Sequence, residues 1–391
     1  MRLLVAAERV SPAGGMERYL AVVLPELVAR GAEVRVIVRE GDSDAGLAGV
    51  RVERIAWALE RDPPDTQAAE ATRRAIAEFS PDAAIVHNVM DAGVVETLRS
   101  VKRLAYHIHD HRPFCPNGDR VYPRTGATCR APLGVACAVH ALIDGCAYGP
   151  RPRTLALIGR RRRLRDAIAN ADATIVASHY VRDRAVSSGI PAGRISIVAP
   201  PLPDDAFATE VSASGASRSI VFAGRIVPQK GLLQLVRAVA TIPNGKRPEI
   251  RALGDGPALA ESRQRAARAG VTLVAHGAVS LAEVRDAIDA AALVAVPSLW
   301  AEPFGYIGIE SLARGRNVVA FDTGGIREWL SDGRNGRAVP AGNETALARA
   351  IEDLLDDVEL RGAMEVLARG DAEAYRAAPI VERLTKIYFG G

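Results

Sequence analysis

Glu302 and Glu310 are two carboxylates held seven residues apart across a Pro303-Phe304-Gly305 break, in the stretch EPFGYIGIE. The apolar run Leu293 to Val296 reads as a buried parallel strand, and Asn317 to Phe321 as the next one. The helix between them is expected to start near Gly305 and to stop at Arg314-Gly315, a basic residue followed by glycine. Glu302 then falls in the loop at the strand's carboxyl end, and Glu310 projects from the helix roughly one and a half turns in. Open α/β sheets bind ligands at that edge. Taken alone, the two residues would equally suit an ordinary turn and a surface glutamate. Upstream, Phe222-Ala-Gly224-Arg225 and Lys230-Gly231 place an arginine and a lysine on one strand-end loop. A guanidinium grips oxygens bidentately and an ammonium adds a mobile point charge, so the pair suits two adjoining phosphates. Plain surface charge fits less well, because Gly-Arg ends a strand and Lys-Gly precedes a helix.

Histidines concentrate in Ala105-Tyr-His-Ile-His-Asp-His111. Strand alternation puts His107, His109 and His111 on one face, where Asp110 can orient a neighbouring imidazole by accepting its N–H. Active-site work is assigned to His109; His107 and His111 would also serve as core histidines satisfying backbone carbonyls. Pro12-Ala13-Gly14-Gly15-Met16 forms the first strand-to-helix turn. Adjacent glycines such as Gly15 let backbone approach a ligand, and free helix N–H groups favour an anion, although a tight turn would look the same. The turn is not G-x-G-x-x-G, which speaks against a nicotinamide or flavin dinucleotide. Leu253-Gly254-Asp255-Gly256-Pro257 and His276-Gly277 mark further strand-end turns, whose backbone would either read a base or simply turn.

The four cysteines, Cys115, Cys129, Cys137 and Cys146, all fall in one insertion. In a cytosolic chain such clustering favours metal over disulfides. Four thiolates would hold tetrahedral zinc and staple an insertion that lacks regular apolar periodicity. No C-x2-C pair is present, and an iron–sulfur cluster, a Cys/His site drawing on His140, and two disulfides stay open. Gly159-Arg160-Arg161-Arg162-Arg163-Leu164-Arg165, with Arg151 and Arg153 upstream, reads as a solvated helix face or as a face docked on anionic lipids, at about 1 kcal/mol per basic residue. No strong apolar face opposes the arginines.

The elements that must position these groups alternate. Leu3 to Ala7, Glu33 to Val38, Ala83 to Val86, Arg103 to Ile108, Ala173 to Ala177 and Ile195 to Val198 are short apolar runs, with amphipathic stretches such as Glu17 to Arg30 and Thr66 to Phe79 between them. This is a βαβ series. A linker composition rich in proline and small residues spans Ala199 to Arg218, after which the pattern restarts at Ser219 and runs through Ile250 to Leu253 and Thr272 to Ala275. With 391 residues and 48% hydrophobic content, two doubly wound cores can form. A net charge of +4 and 5% aromatics are too little for nucleic acid, though they weakly favour anionic ligands such as phosphates or lipid head groups. The opening Met1-Arg-Leu-Leu-Val-Ala-Ala reads as a buried strand rather than a signal sequence, and no apolar run reaches the roughly 20 residues of a membrane span. A cytoplasmic protein is expected, peripheral on the membrane if the arginine face docks.

The GR-x4-KG element, the LGDGP turn, EPFGYIGIE and Gly324-Gly325 with Glu328 together resemble a retaining glycosyltransferase of family 4, with the GT-B fold. Gly14-Gly15 and His109-Asp110 match that family's pattern in the first half. The resemblance covers essentially the whole chain. It implies two doubly wound Rossmann-like domains facing across a cleft, an acceptor domain at about 1–200 with its cysteine insertion at about 111–150, a nucleotide-sugar domain at about 201–372, and a C-terminal helix at about 373–391 crossing back to the first domain. It also implies a hexosyltransferase-type reaction that needs no cofactor and no catalytic metal. Arg225 and Lys230 would neutralise the diphosphate and Glu310 would bind the ribose. Glu302 and the backbone of Phe304-Gly305 would meet the sugar, with Gly15, Gly224, Gly254 and His276 completing the donor site and His109 facing the sugar from the other domain. A sugar-nucleotide epimerase and a non-catalytic sugar-nucleotide sensor share the architecture. A phosphorylase of the same fold would need a pyridoxal phosphate lysine site, which the sequence does not show.

Overall fold

The computed structural model describes residues 1–10, 14–39, 47, 49–57, 66–122, 128–146, 151–207 and 218–390. Part of the first turn (Pro12 and Ala13), much of the linker and parts of the Arg39 to Gln67 stretch lie outside them. The chain divides into two compact units, Met1–Pro201 with Ala377–Gly391, and Leu202–Arg376.

In unit 1 the elements are β1 (Arg2–Ala7), α1 (Gly15–Ala29), β2 (Glu33–Arg39), β3 (Arg51–Ile55), α2 (Thr66–Phe79), β4 (Ala83–His87), α3 (Ala92–Leu98), β5 (Leu104–Ile108), α4 (Val135–Ile143), α5 (Arg151–Ala169), β6 (Ala173–Val176), α6 (His179–Ser187) and β7 (Ile195–Ile197). Unit 2 contains β8 (Ser219–Ala223), α7 (Leu232–Thr241), β9 (Glu249–Leu253), α8 (Leu259–Ala269), β10 (Leu273–Gly277), α9 (Leu281–Ala290), β11 (Leu293–Val296), α10 (Tyr306–Ala313), β12 (Val318–Phe321), β13 (Gly336–Val339), α11 (Glu344–Asp356) and α12 (Val358–Ala372). The last helix, α13 (Ala377–Phe389), packs in unit 1 on α1, β4 and β5.

Both sheets are parallel, ordered β3-β2-β1-β4-β5-β6-β7 and β10-β9-β8-β11-β12-β13. Connections run outward in opposite directions from β1/β4 and from β8/β11, which creates a topological switch point at each place. The central strands are continuous apolar runs because helices cover both faces. Leu3, Leu4, Val5, Ala6 and Ala7 of β1 are fully buried, which fits a first core strand.

Two strands carry no apolar run and were not expected. β3 (RVERI) and β13 (GRAV) are the outer strands of their sheets, where one face and one edge meet solvent. Short, charged edge strands resist unwanted pairing, and the same composition hides them from a hydrophobicity reading.

α10 is held close by a glycine. A Cβ on Gly308 would lie 2.2 Å from the Trp329 ring. That ring is 4% exposed, and its Nε1 donates to Phe304 O at 2.7 Å. Gly308→Ala should therefore lower stability by about 1–3 kcal/mol, the usual overpacking range. Urea unfolding checks this; a midpoint unchanged from the parent would show that the helix and Trp329 separate at little cost.

Candidate active site

In unit 2 the switch point brings the loops after β8 and β11 side by side. Lys230 Nζ lies 2.6 Å from Glu302 Oε1, and Ser298 Oγ donates to the same oxygen at 2.5 Å. The ammonium also lies 5.2 Å from the Trp300 ring centroid, a cation–π distance. Glu302 is 4% exposed. Burial alone would raise its carboxyl pKa, but the charge of Lys230 and hydrogen bonds from Lys230, Ser298 and Trp300 outweigh burial and hold it below the ordinary value.

Backbone contacts lock this pair in place. Leu299 N donates to Gln229 O at 2.8 Å, and Gly325 N to Glu302 O at 2.7 Å, so the loops after β8, β11 and β12 are sewn together. Gly231 (φ 80) and Gly324 (φ 57) stand where a Cβ would fall 1.9 Å from Pro297 O and 2.3 Å from Glu302 O. Only glycine fits both the left-handed backbone and the contact. Arg225, five residues before Lys230, is exposed. Glu310 is 2% exposed on α10, whose start is set by Gly305 at φ 99. Phe304 is buried with its carbonyl engaged by Trp329.

The glycines of the LGDGP turn serve the fold itself. A Cβ on Gly254 would meet Gly224 O at 1.9 Å, and one on Gly256 would meet Ile226 O at 2.3 Å. Gly254 N donates to Gly277 O at 2.7 Å, and Ile226 N to Asp255 O at 2.8 Å. The N–H of Gly254, in a turn whose backbone would either read a base or simply turn, is thus engaged by the loop after β10, which carries His276-Gly277.

At the edge of unit 1, His109 does not sit with His111. His107 and His109 stack with ring centroids 4.0 Å apart, while His111 lies past the end of β5, with its ring centroid 5.6 Å from that of Tyr180. The third member of the cluster is His87, whose Nδ1 is 2.9 Å from His109 Nε2. Candidate ligand nitrogens of His87, His107 and His109 all fall within 4.8 Å. Burial holds all three imidazoles neutral: it lowers His87 to about 3 and, with the neighbouring histidines, His107 and His109 well below the ordinary value. Tyr19 packs edge-on against His107 and His109, and its hydroxyl meets that of Tyr388 on α13 at 3.2 Å.

Asp110 binds no imidazole. Its Oδ2 accepts from Asn88 Nδ2 at 2.8 Å and from Arg112 Nε at 2.7 Å, and Arg112 reaches Glu8 at 2.7 Å. Asn88, at φ 53, also accepts His109 N at 3.0 Å. The first turn differs too: the Glu17 carboxylate folds back over Gly14 and accepts the backbone N–H of Glu17, so a side chain of the same turn occupies the end of α1 expected to favour an anion. The arginine run on α5 is not one basic face. Arg161 is 1% exposed, Arg163 pairs with Glu96 and Arg165 with Asp166, and Leu164 and Ile168 are fully buried. Cys115, Cys129, Cys137 and Cys146 are free thiols lining one cavity.

His87, Asn88, Tyr19, Ser298 and Trp300 were not singled out from sequence. His87-Asn88 directly follows an apolar strand, which is the one signal that could have found them.

Two outcomes follow for stability. Lys230→Ala strands a buried carboxylate and should cost about 3–5 kcal/mol, more than Glu302→Gln, which leaves a partly exposed ammonium; equal losses in chemical denaturation would show that the pair is not desolvated. The folded chain refuses protons that its unfolded histidines accept below about 6.5. The stability of unit 1 should therefore be full above that pH and fall on acidification, by up to about 1.4 kcal/mol per pH unit for each histidine. Thermal unfolding from pH 7.5 to 5 measures this, and His87→Asn should flatten the slope.

Residues 13–205 match the family described as Glycosyltransferase Family 4, and residues 217–357 match Glycosyl transferases group 1. An alpha-maltose-1-phosphate synthase of Mycolicibacterium smegmatis is 30% identical over 57% of this chain and 64% of its own length. A D-inositol 3-phosphate glycosyltransferase of Streptomyces scabiei is 34% identical over 40% of this chain and 37% of its own. The chain thus spans less than two thirds of these curated relatives. Among solved structures, the sucrose-phosphate synthase of Thermosynechococcus elongatus superposes with a TM-score of 0.76 at 20% identity, covering 99% of this chain and 98% of that one. Anabaena HepE in complex with UDP and glucose gives 0.71 at 18% identity, with 98% of each chain covered. These likenesses give the fold as GT-B, and the two matched families leave one conclusion: the chain belongs to the group 1 glycosyltransferases of family 4.

Proposed function

We propose that the chain moves a sugar from a nucleotide-diphosphate sugar to a hydroxyl acceptor, with retention of configuration and without a divalent ion at the diphosphate. The observation that carries this reading is the Lys230–Glu302 pair beside Arg225 at the switch point of unit 2. As the bond from the anomeric carbon to the diphosphate oxygen breaks, negative charge grows on the leaving group. Arg225 and the pre-positioned Lys230 neutralise it. The anomeric carbon becomes oxocarbenium-like, and Glu302 with the backbone at Phe304-Gly305 lines the sugar. The acceptor oxygen bonds to that carbon while its proton passes to the departing phosphate oxygen. Glu310 takes the ribose hydroxyls. His109, held neutral and with Nε2 engaged by His87, keeps Nδ1 to donate to or accept from a hydroxyl group. Gly15, Gly224 and His276 contribute at loop edges. The face at Arg160 to Arg165 is left out of the reading, because its arginines are buried or ion-paired in part.

The test is a panel of UDP-, GDP- and ADP-sugars with candidate hydroxyl acceptors, read as released nucleoside diphosphate and glycosylated product. One donor should turn over. Lys230→Ala and Glu310→Ala should each weaken donor binding by roughly tenfold or more, the range for a lost hydrogen bond to a charged group. Unchanged affinity in both variants would remove the site assignment. Donor consumption with no acceptor would indicate epimerisation, and tight binding with no turnover a sensor.

A further inference from the structure

The loop that leaves His109 runs into residues 112–146, whose described residues hold one short helix, α4, and a single bridge between Val121 and Thr128. Val135, Val139 and Ile143 of α4 are exposed at 82%, 45% and 59%, so beyond Phe114, Leu133 and Ala141 the segment buries little apolar surface to fix it. In its place all four cysteines of the chain line one small cavity, beside Arg120 and His140. We propose that Cys115, Cys129, Cys137 and Cys146 bind one zinc ion as a tetrathiolate that fixes this segment.

Three features support the assignment. The cavity volume is about 20 Å³, room for a single ion. Backbone N–H groups of Asn117, Gly118 and Arg120 point at the Cys115 sulfur, the donors a metal-bound thiolate uses. Arg120 is 2% exposed, bonds to Cys129 O at 3.0 Å and to Ala131 O at 3.4 Å, and places a buried positive charge beside a centre that would carry a formal charge of about −2.

No three of the sulfurs lie within 4.8 Å of one another, the span within which the His87 cluster gathers its nitrogens. A tetrahedral ion with Zn–S near 2.3 Å would draw them in and release the thiol protons to solvent. His140 Nδ1 donates to Asp144 Oδ2 at 2.7 Å, and His140 stays outside the ligand set in this assignment.

Metal analysis of the purified full chain should give one zinc per protein. A mercurial that modifies the four thiols should release it stoichiometrically, and cobalt exchange should produce the intense charge-transfer bands of tetrathiolate coordination. Cys137→Ser should lose zinc and His140→Asn should retain it. The assignment is overturned by any of four results: four thiols titrating in native protein with no metal bound, no free thiols after denaturation without reductant, iron with broad absorption near 400 nm, or zinc lost on His140→Asn and kept in Cys137→Ser. Because the parent protein is assayed directly, a variant that fails to fold leaves the decision intact.

Discussion

A carboxylate buried to the extent of Glu302 survives as an anion only if a cation and hydrogen-bond donors reach it, since taking a charge out of water costs several kcal/mol. Lys230 and Ser298 meet that requirement on one oxygen. The requirement propagates outward. For the ammonium to arrive, the loop after β8 must touch the loop after β11, which demands glycine at position 231 against Pro297 O. For the carboxylate to stay, the loop after β12 must pass close enough to donate to the Glu302 carbonyl, which demands glycine at 324. Three strand-end loops thus take their shape from one charge pair.

The edge of unit 1 meets the same difficulty, polar groups out of water, by the opposite route. Burial suppresses the charge of three histidines instead of pairing it. Neutral imidazoles can satisfy one another, as His87 and His109 do, because one ring nitrogen donates and the other accepts. Charge at this edge is moved outward to Glu8, Asp110 and Arg112, which form their own ion-paired chain. Asn88 joins the two layers by accepting from the His109 backbone and donating to Asp110.

Much of this was legible in the sequence where the physics is local. Central strands announce themselves as apolar runs, and α2 and α10 begin and end where periodicity and glycine place them. Edge strands β3 and β13 do not, because an element with one solvated edge has no need of apolar residues. EPFGYIGIE and GR-x4-KG singled out Glu302 and Lys230, but nothing in their spacing revealed that the two touch, since they stand 72 positions apart and only the strand order brings them together. The histidine alternation failed at His111 for a related reason. The strand ends at Ile108, and periodicity ends with it. Glycine was the most ambiguous letter: Gly254 and Gly256 look like ligand-facing turns, yet both are required by close passage of backbone beneath the loop after β8.

That ambiguity bears on how the proposed donor site would be organised before any ligand arrives. A lysine free in solvent carries about 2 kcal/mol of rotamer entropy that a phosphate would have to overcome on binding. Held by Glu302 and set near Trp300, Lys230 has already lost most of that freedom during folding. Its ammonium has three donors, and Glu302 uses one, so a phosphate oxygen can be met without breaking the pair. Arg225, exposed on the same loop, keeps its planar fork for the neighbouring phosphate. In this arrangement Glu302 acts on the protein itself: Lys230 and Ser298 converge on its Oε1, and the cation is fixed before any ligand arrives.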